Sequence, residues 1–130
     1  MDVVSVIGQV YLNGEWCAPD EAKISAFDRG FFFADGVYEV IPISEGEPFG
    51  LEPHLDRLFY SLKEIRLPIN DSRAQLRALI IKLRDTLLEH GHQNGAVYLQ
   101  ITRGAAKGRD HAFPTPSIMP TQLAYAFAIT

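Results

Sequence analysis

Three side chains in this sequence could together bind a carboxylate: Tyr38, Arg109 and His111. Arg109 and His111 flank Asp110, so in an extended segment both side chains point to the same side. A guanidinium and an imidazole that converge in this way make a good carboxylate receptor. Tyr38 follows Asp35-Gly36, and its hydroxyl can donate a further hydrogen bond. The alternatives are a solvated loop for Arg109 and His111, and an ordinary strand aromatic for Tyr38.

A fourth side chain, Arg57, has the chemistry of a phosphate ligand. It lies in the run His54-Leu55-Asp56-Arg57-Leu58, beside the apolar stripe of a predicted helix. An arginine at this margin can reach inward with a planar fork of donors that suits phosphate. The alternative is a surface arginine that pairs with Asp56 or with the side of the helix that carries Glu64.

The elements that must position these residues follow from periodicity and turn chemistry. Asn13-Gly14 predicts a tight hairpin between strands at 9–12 and 15–17. Apolar spacing of three and four residues predicts helices over 53–66 and 72–90, the second capped by Asp71 or Ser72. Further strands are predicted at 37–43, 48–51, 96–102 and 122–130, with Pro42 near a sheet edge or bulge.

This order of elements predicts an α+β fold with two layers, a mainly antiparallel sheet and two α-helices on one of its faces. The three phenylalanines at 31–33 are expected to pack in the core. Alternation in the last strand predicts one bulky face and one face of alanines that a neighbour approaches closely. The loop from Arg103 to His111 contains two glycines, which predicts a defined shape.

Composition limits the classes of function. The 130 residues fit one domain, and a net charge of −4 with 22% charged residues does not favour nucleic-acid binding. No apolar run is long enough to span a membrane, and no signal peptide is visible. A single cysteine, Cys17, fits a reducing compartment, so a cytoplasmic location is expected. His90 and His92 lack a third ligand of plausible placement, so no metal site is predicted.

An ordered set of motifs resembles the N-terminal domain of class IV (fold-type IV) pyridoxal-phosphate aminotransferases. The motifs are Asp28-Arg29-Gly30, Asp35-Gly36-Val37-Tyr38-Glu39-Val40, His54-Leu55-Asp56-Arg57-Leu58 and Thr102-Arg103-Gly104. The pair Arg109 and His111, followed by Phe113-Pro114, is most similar to the D-amino acid aminotransferases of that family. Branched-chain members usually carry Phe-Glu-Gly-x-Arg in place of the run that contains Tyr38.

The resemblance implies a role for each matching residue. Arg57 would bind the phosphate of pyridoxal 5'-phosphate, and Tyr38, Arg109 and His111 would bind the substrate carboxylate. Arg109 and His111 would serve the partner's site in a homodimer. The implied activity is transfer of the amino group of a D-amino acid, such as D-alanine, to a 2-oxo acid such as 2-oxoglutarate.

One requirement of that chemistry is absent from the sequence. None of its four lysines matches the Schiff-base lysine of the family, which is expected beyond Thr130 in a C-terminal domain. Residues 1–130 are therefore interpreted as one domain of a longer two-domain enzyme, inactive alone. The alternatives are a branched-chain aminotransferase, an (R)-amine transaminase, an aminodeoxychorismate lyase, or a non-catalytic interaction domain of the same fold.

Overall fold

The computed structural model describes residues 4–108, 110–114 and 118–129. Its strands and helices, in chain order, are β1 Val4–Leu12, β2 Glu15–Cys17, α1 Arg29–Phe33, β3 Gly36–Ser44, β4 Glu47–Pro48, α2 Leu51–Glu64, α3 Arg73–Glu89, β5 Gly95–Thr102 and β6 Thr121–Ile129, with a short 3-10 turn at Pro19–Glu21. This order agrees with the predicted succession of strands, two long helices and strands.

The strands form one six-stranded sheet in the order β2-β1-β6-β5-β3-β4, and its neighbouring strands run antiparallel. The helices α2 and α3 cover one face. The core lies between the two layers and is built from apolar side chains of both, among them Ile41, Leu58, Leu83, Leu87, Val97, Leu99 and Ile101. The two-layer α+β prediction is confirmed, because two amphipathic helices bury their apolar stripes only against a shared sheet face.

Small side chains let α3 approach the sheet. Ala124, Ala126 and Ala128 of β6 are fully buried on the helix-covered face, whereas Tyr125 and Phe127 lie half-buried on the other face. The predicted division of this strand into a bulky face and a closely approached face is confirmed. It follows from the two-residue period of side chains along a strand.

Local signals located several boundaries correctly. Asn13 and Gly14 adopt positive φ values of 51° and 89°, as a two-residue hairpin requires. Ser72 caps α3 by accepting a hydrogen bond from the Gln75 amide at 3.1 Å, and the Gln75 side chain accepts one from the Ser72 amide at 2.8 Å. This reciprocal pair satisfies two amide groups that the first helical turn leaves without partners.

The partner strand predicted at 48–51 is present but shorter, and it begins one residue earlier, at Glu47–Pro48. Glu47 and Pro48 pair with β3, the Phe49 amide donates to the Pro42 carbonyl at 2.8 Å, and α2 already begins at Leu51. Gly50 makes the turn between them with a φ of 69°, and its carbonyl accepts a hydrogen bond from the His54 amide at 3.0 Å. Pairing on this side of β3 therefore ends at Pro42, and the residues of β3 before Pro42 lie at the edge of the described sheet. The prediction of an edge near Pro42 is therefore confirmed.

The phenylalanines at 31–33 are also placed differently from the prediction. They form the short helix α1, and none of them belongs to the buried core; Phe31 is 78% exposed. Asp28 caps the helix, and its carboxylate accepts a hydrogen bond from the Gly30 amide at 2.8 Å. The same buried carboxylate accepts hydrogen bonds from the hydroxyls of Thr102 and Thr121, which tie α1 to β5 and β6.

Candidate active site

Tyr38 lies on the face of the sheet opposite the helices. Its side chain is 62% exposed and stacks on Tyr98, with ring centroids 5.8 Å apart. Tyr98 stacks in turn on Tyr125 at 5.2 Å and donates a hydrogen bond to the Gln100 side chain at 2.9 Å. Burial raises the pKa of Tyr98, and the phenols of Tyr125 and Tyr38 raise it further. This row of rings supports Tyr38 at the sheet edge, where its side chain is exposed.

Glu39, the next residue of β3, points to the helix-covered face and organises a polar cluster there. Its buried carboxylate accepts two hydrogen bonds from Arg57, from Nε at 2.8 Å and from Nη2 at 2.7 Å. The Nδ1 atom of His54 lies 2.6 Å from the same carboxylate. The three residues form what we call the Glu39 cluster. It joins the edge strand to the first two turns of α2.

Opposing effects act on the ionisation of this cluster. Burial by itself would raise the pKa of Glu39, but hydrogen bonds from Arg57 and His54 outweigh it, and the pKa lies below its usual value. The hydrogen bonds and charge of Glu39 raise the pKa of Arg57, with a smaller contribution from Tyr38. Arg57 thus stays charged.

The arrangement of Arg57 fits a phosphate ligand. Glu39 occupies the edge of the guanidinium formed by Nε and Nη2, whereas the arginine side chain remains 65% exposed. Because a guanidinium is planar and carries five N–H groups, the edge formed by Nη1 and Nη2 still has protons to donate. Arg57 thus pairs with Glu39 and not with Asp56, the surface partner that the sequence left open. Asp56 pairs with Arg73 at 2.6 Å.

A second polar cluster is centred on Asp35, just before β3. It also contains Arg29 of α1 and Arg103, the residue after β5, and we call it the Asp35 cluster. Both arginines donate through Nε to one carboxylate oxygen of Asp35, each at 2.8 Å. Burial would raise the pKa of Asp35, but the hydrogen bonds and charges of Arg103 and Arg29 outweigh this and lower it. The two guanidiniums contact the loop that contains His111.

His111 is exposed, and its ring lies 4.8 Å from the ring of Phe33 in α1. No hydrogen bond joins it to Tyr38 among the residues that the structure describes. Arg109 lies outside the described residues. The predicted trap of Tyr38, Arg109 and His111 therefore stays a prediction.

The loop that leads to His111 has a defined course at its start, as its glycines predict. Gly104 adopts a φ of 104°, and a Cβ atom there would lie 1.9 Å from the Met119 carbonyl oxygen. The position therefore requires glycine. Gly108, the second glycine of this loop, has open space where a Cβ atom would lie.

All four lysines of the sequence are exposed: Lys23, Lys63, Lys82 and Lys107. Lys82 lies over the Trp16 ring, with its Nζ atom 4.9 Å from the ring centroid. None of them joins either polar cluster. Within residues 4–108, 110–114 and 118–129, no group of three or more potential metal ligands is found, and no helix is both long and apolar enough to cross a membrane.

Sequence reasoning missed Glu39 and the buried Arg29 as contributors to this region. A signal for Glu39 was available, because it alternates with the apolar residues Ile41 and Ile43 on one face of β3. A lone acid on a buried strand face requires a charged or hydrogen-bonding partner. Arg29 gave no such signal, since nothing in a turn sequence distinguishes a buried arginine from a solvated one.

Comparison with known proteins extends these observations. The chain is 43% identical over 117 residues to a D-alanine aminotransferase of Staphylococcus aureus (strain N315), a match that covers 90% of this chain and 40% of the relative. A D-alanine aminotransferase of Listeria monocytogenes serotype 4b (strain F2365) is 40% identical over 106 residues, which cover 82% of this chain and 36% of the relative. The chain thus spans about 40% of the length of these curated relatives.

Solved structures share the fold. A branched-chain amino acid aminotransferase from T.th., complexed with N-(5'-phosphopyridoxyl)-L-glutamate, superposes with a TM-score of 0.78 at 23% identity, covering 94% of this chain and 41% of that protein. A 4-amino-4-deoxychorismate lyase from Pseudomonas aeruginosa gives a TM-score of 0.70 at 26% identity, covering 90% and 38%.

The family profile of the class IV aminotransferases matches residues 36–129, a segment that holds β3, the Glu39 cluster and the loop to His111. This match, with the D-alanine aminotransferase relatives, indicates pyridoxal 5'-phosphate as the cofactor. The predicted family and the predicted cofactor are therefore confirmed. The chain belongs to the class IV aminotransferases.

Proposed function

We propose that these 130 residues form the N-terminal domain of a longer, two-domain aminotransferase that acts on D-amino acids. The observation that carries the proposal is the 43% identity to a D-alanine aminotransferase over 90% of this chain. The exposure of all four lysines supports the view that the Schiff-base lysine belongs to another part of the enzyme. The proposed reaction converts D-alanine and 2-oxoglutarate into pyruvate and D-glutamate.

Within this proposal Arg57 holds the cofactor phosphate. Its Nε and Nη2 atoms are fixed by Glu39, so the opposite edge of the guanidinium is oriented before the ligand arrives. Charge-assisted hydrogen bonds from a preoriented guanidinium fork suit phosphate. When bound, the cofactor supplies the electron sink of the reaction, and the protein supplies orientation.

Tyr38, Arg109 and His111 bind the substrate carboxylate in this proposal. Tyr38 supports this role because its side chain is 62% exposed at the edge of the sheet. A carboxylate held beside the phosphate ligand fixes which face of the α-carbon meets the cofactor. The side on which the carboxylate is held thus decides between D- and L-amino acids.

The proposed enzyme is a cytoplasmic homodimer in which Arg109 and His111 serve the partner's site. Support for an association surface comes from large exposed apolar side chains, including Phe31, Phe49 and Met119. Such side chains are usual where a second domain or subunit covers a surface. Its substrates are an amino acid and a 2-oxo acid, with no role for nucleic acid or membranes.

The test uses the full-length enzyme that contains these residues, purified with its cofactor. We expect D-alanine with 2-oxoglutarate to react faster than L-leucine, an (R)-amine or aminodeoxychorismate under the same conditions. A preference for one of the last three would replace the proposal with a branched-chain aminotransferase, an (R)-amine transaminase or a lyase. Absence of turnover with all four, in protein that has bound cofactor, would favour a non-catalytic domain.

The 130-residue chain alone serves as the matched control. We expect no turnover of D-alanine by this chain, because it lacks the lysine that must carry the cofactor. Turnover by a preparation of verified length would contradict the proposed division of the site between two domains.

A further inference from the structure

We propose that Arg29 and Arg103, joined through Asp35, are positioning residues that orient the loop at 110–113 and thereby place His111 for carboxylate binding. The inference rests on the proposed function for the role of His111. The anchoring of the loop rests only on contacts within this chain.

The Arg29 side chain binds the backbone of the loop. Its Nη1 atom donates to the carbonyls of Asp110 at 2.6 Å and Ala112 at 3.2 Å, and its Nη2 atom donates to the carbonyl of His111 at 3.4 Å. Three successive carbonyls therefore converge on one buried guanidinium. Because the carbonyls on both sides of His111 are bound, the backbone has little freedom to turn the imidazole away.

Arg103 binds the loop through the face of its planar guanidinium, which lies over the Phe113 ring. Its guanidinium carbon lies 3.9 Å from the centroid of the Phe113 ring, while its Nη atoms donate to the carbonyls of Ile65 at 2.6 Å and Arg66 at 3.2 Å. The loop is thus anchored to the end of α2 as well as to α1. Phe113 closes the segment two residues after His111.

Asp35 makes the two arginines one unit. Both Nε atoms share a single carboxylate oxygen, so neither guanidinium can rotate without losing that bond. Lysine cannot replace either arginine, because a point charge cannot donate to a carboxylate and to several carbonyls from one planar group. Phe33 completes the support, since it contacts both the Arg29 guanidinium at 4.9 Å and the His111 ring at 4.8 Å.

The decisive variant is Arg29→Lys in the full-length enzyme, with Arg84→Lys as its matched control. Arg84 is also largely buried and donates to a carbonyl, that of Gly46, and it contacts no part of the loop at 110–113. We expect Arg29→Lys to raise the KM for D-alanine about tenfold or more, the range of a lost charge-assisted contact, with kcat and bound cofactor little changed. Arg84→Lys should leave the KM unchanged.

A double-mutant cycle separates positioning from a general structural effect. If Arg29 acts through His111, Arg29→Lys should raise the KM far less in a His111→Ala background than in the wild type. Equal effects in both backgrounds would overturn the proposal. Arg103→Lys, measured in the same cycle, provides the test if Arg29→Lys does not fold, and the same non-additivity is expected.

Amide hydrogen exchange tests the anchoring without reference to catalysis. We expect faster exchange in a peptide covering residues 110–114 in Arg29→Lys, with no change there in Arg84→Lys. Unchanged exchange in Arg29→Lys would refute the anchoring, whatever the enzyme's substrate. If the wild type transaminated no D-amino acid but the exchange result held, the proposed function would fail while the anchoring role of the arginines stood.

Discussion

The Glu39 cluster and the Asp35 cluster are centred on acids four residues apart along the chain, yet they use arginine in opposite ways. In both, an arginine Nε donates to a carboxylate at 2.8 Å. The side chains of Arg29 and Arg103 are only 5% and 8% exposed, whereas that of Arg57 is 65% exposed. The same bond thus occurs in a buried and in an accessible setting.

The difference shows what decides whether an arginine is available to a ligand. Arg29 and Arg103 use their remaining donors on carbonyls of the chain, so they stabilise the fold and the loop. Arg57 uses one edge to bind Glu39 and keeps the other at the surface. A buried carboxylate beneath an exposed guanidinium is therefore an arrangement suited to binding, whereas a carboxylate between two buried guanidiniums is suited to structure.

The largest effect is expected for Asp35→Ala. This change leaves two buried guanidiniums without their shared counter-charge, and loss of one partner of a buried pair costs about 3–5 kcal/mol. Urea unfolding should show this loss. Asp56→Ala is the control, because Asp56 pairs with Arg73 at the surface, where such a pair contributes no more than about 1 kcal/mol. Equal losses in the two variants would contradict the contrast between buried and exposed clusters.

A smaller loss of stability is expected for Glu39→Gln, about 1–2 kcal/mol, since the exposed Arg57 regains water when its partner loses charge. The control is Glu52→Gln, which changes a similar two-point contact with Arg77 at the surface and should alter stability little. Both are measured by urea unfolding. A loss for Glu39→Gln as large as that for Asp35→Ala would show that the exposure of the arginine does not matter.

Arg57→Ala tests whether the exposed arginine of the Glu39 cluster binds the cofactor. In the full-length enzyme we expect the dissociation constant of pyridoxal 5'-phosphate to rise about tenfold or more, from loss of a charge-assisted phosphate contact, with substrate preference unchanged. Arg77→Ala removes another arginine that binds a glutamate, from the partly exposed side of α3, and should not change cofactor retention. Unchanged retention in Arg57→Ala would remove Arg57 from the phosphate site.

The smallest expected effect is a change in the acid dependence of stability. The pKa values of Asp35 and Glu39 are lowered by folding. The contribution of these two carboxylates to the free energy of unfolding is complete above their unfolded-state pKa values, about 4. It is lost as the pH falls through their lower folded-state pKa values. The free energy of unfolding should therefore decrease below about pH 4, by at most about 1.4 kcal/mol per pH unit for each group.

Urea unfolding between about pH 7 and about pH 3 measures this dependence, with Glu39→Gln compared with the wild type. We expect a shallower decrease in the variant, because it has one lowered carboxyl pKa fewer. An identical decrease in both proteins would mean that Glu39 binds its proton equally well in the folded and unfolded states.

Sequence reasoning succeeded where the signal lies within a few residues. The apolar spacing of α2 and α3, the cap at Ser72 and the hairpin at Asn13-Gly14 all depend on neighbours in the chain, and all were predicted. It failed for the phenylalanines at 31–33, because hydrophobicity alone does not say which side of a short helix faces the core. The strand predicted at 48–51 is shorter than expected because Gly50 turns the chain into α2.

The sequence by itself determined the two-layer fold, the family and the types of side chain that can bind an anion. Only the tertiary structure decided their partners. Arg57 pairs with Glu39, eighteen residues away, and Arg29 binds the carbonyls of a loop more than eighty residues away. The physical reason is that periodicity is set by local backbone geometry, whereas the partner of a charge depends on strand register and helix placement, which arise only when distant segments pack together.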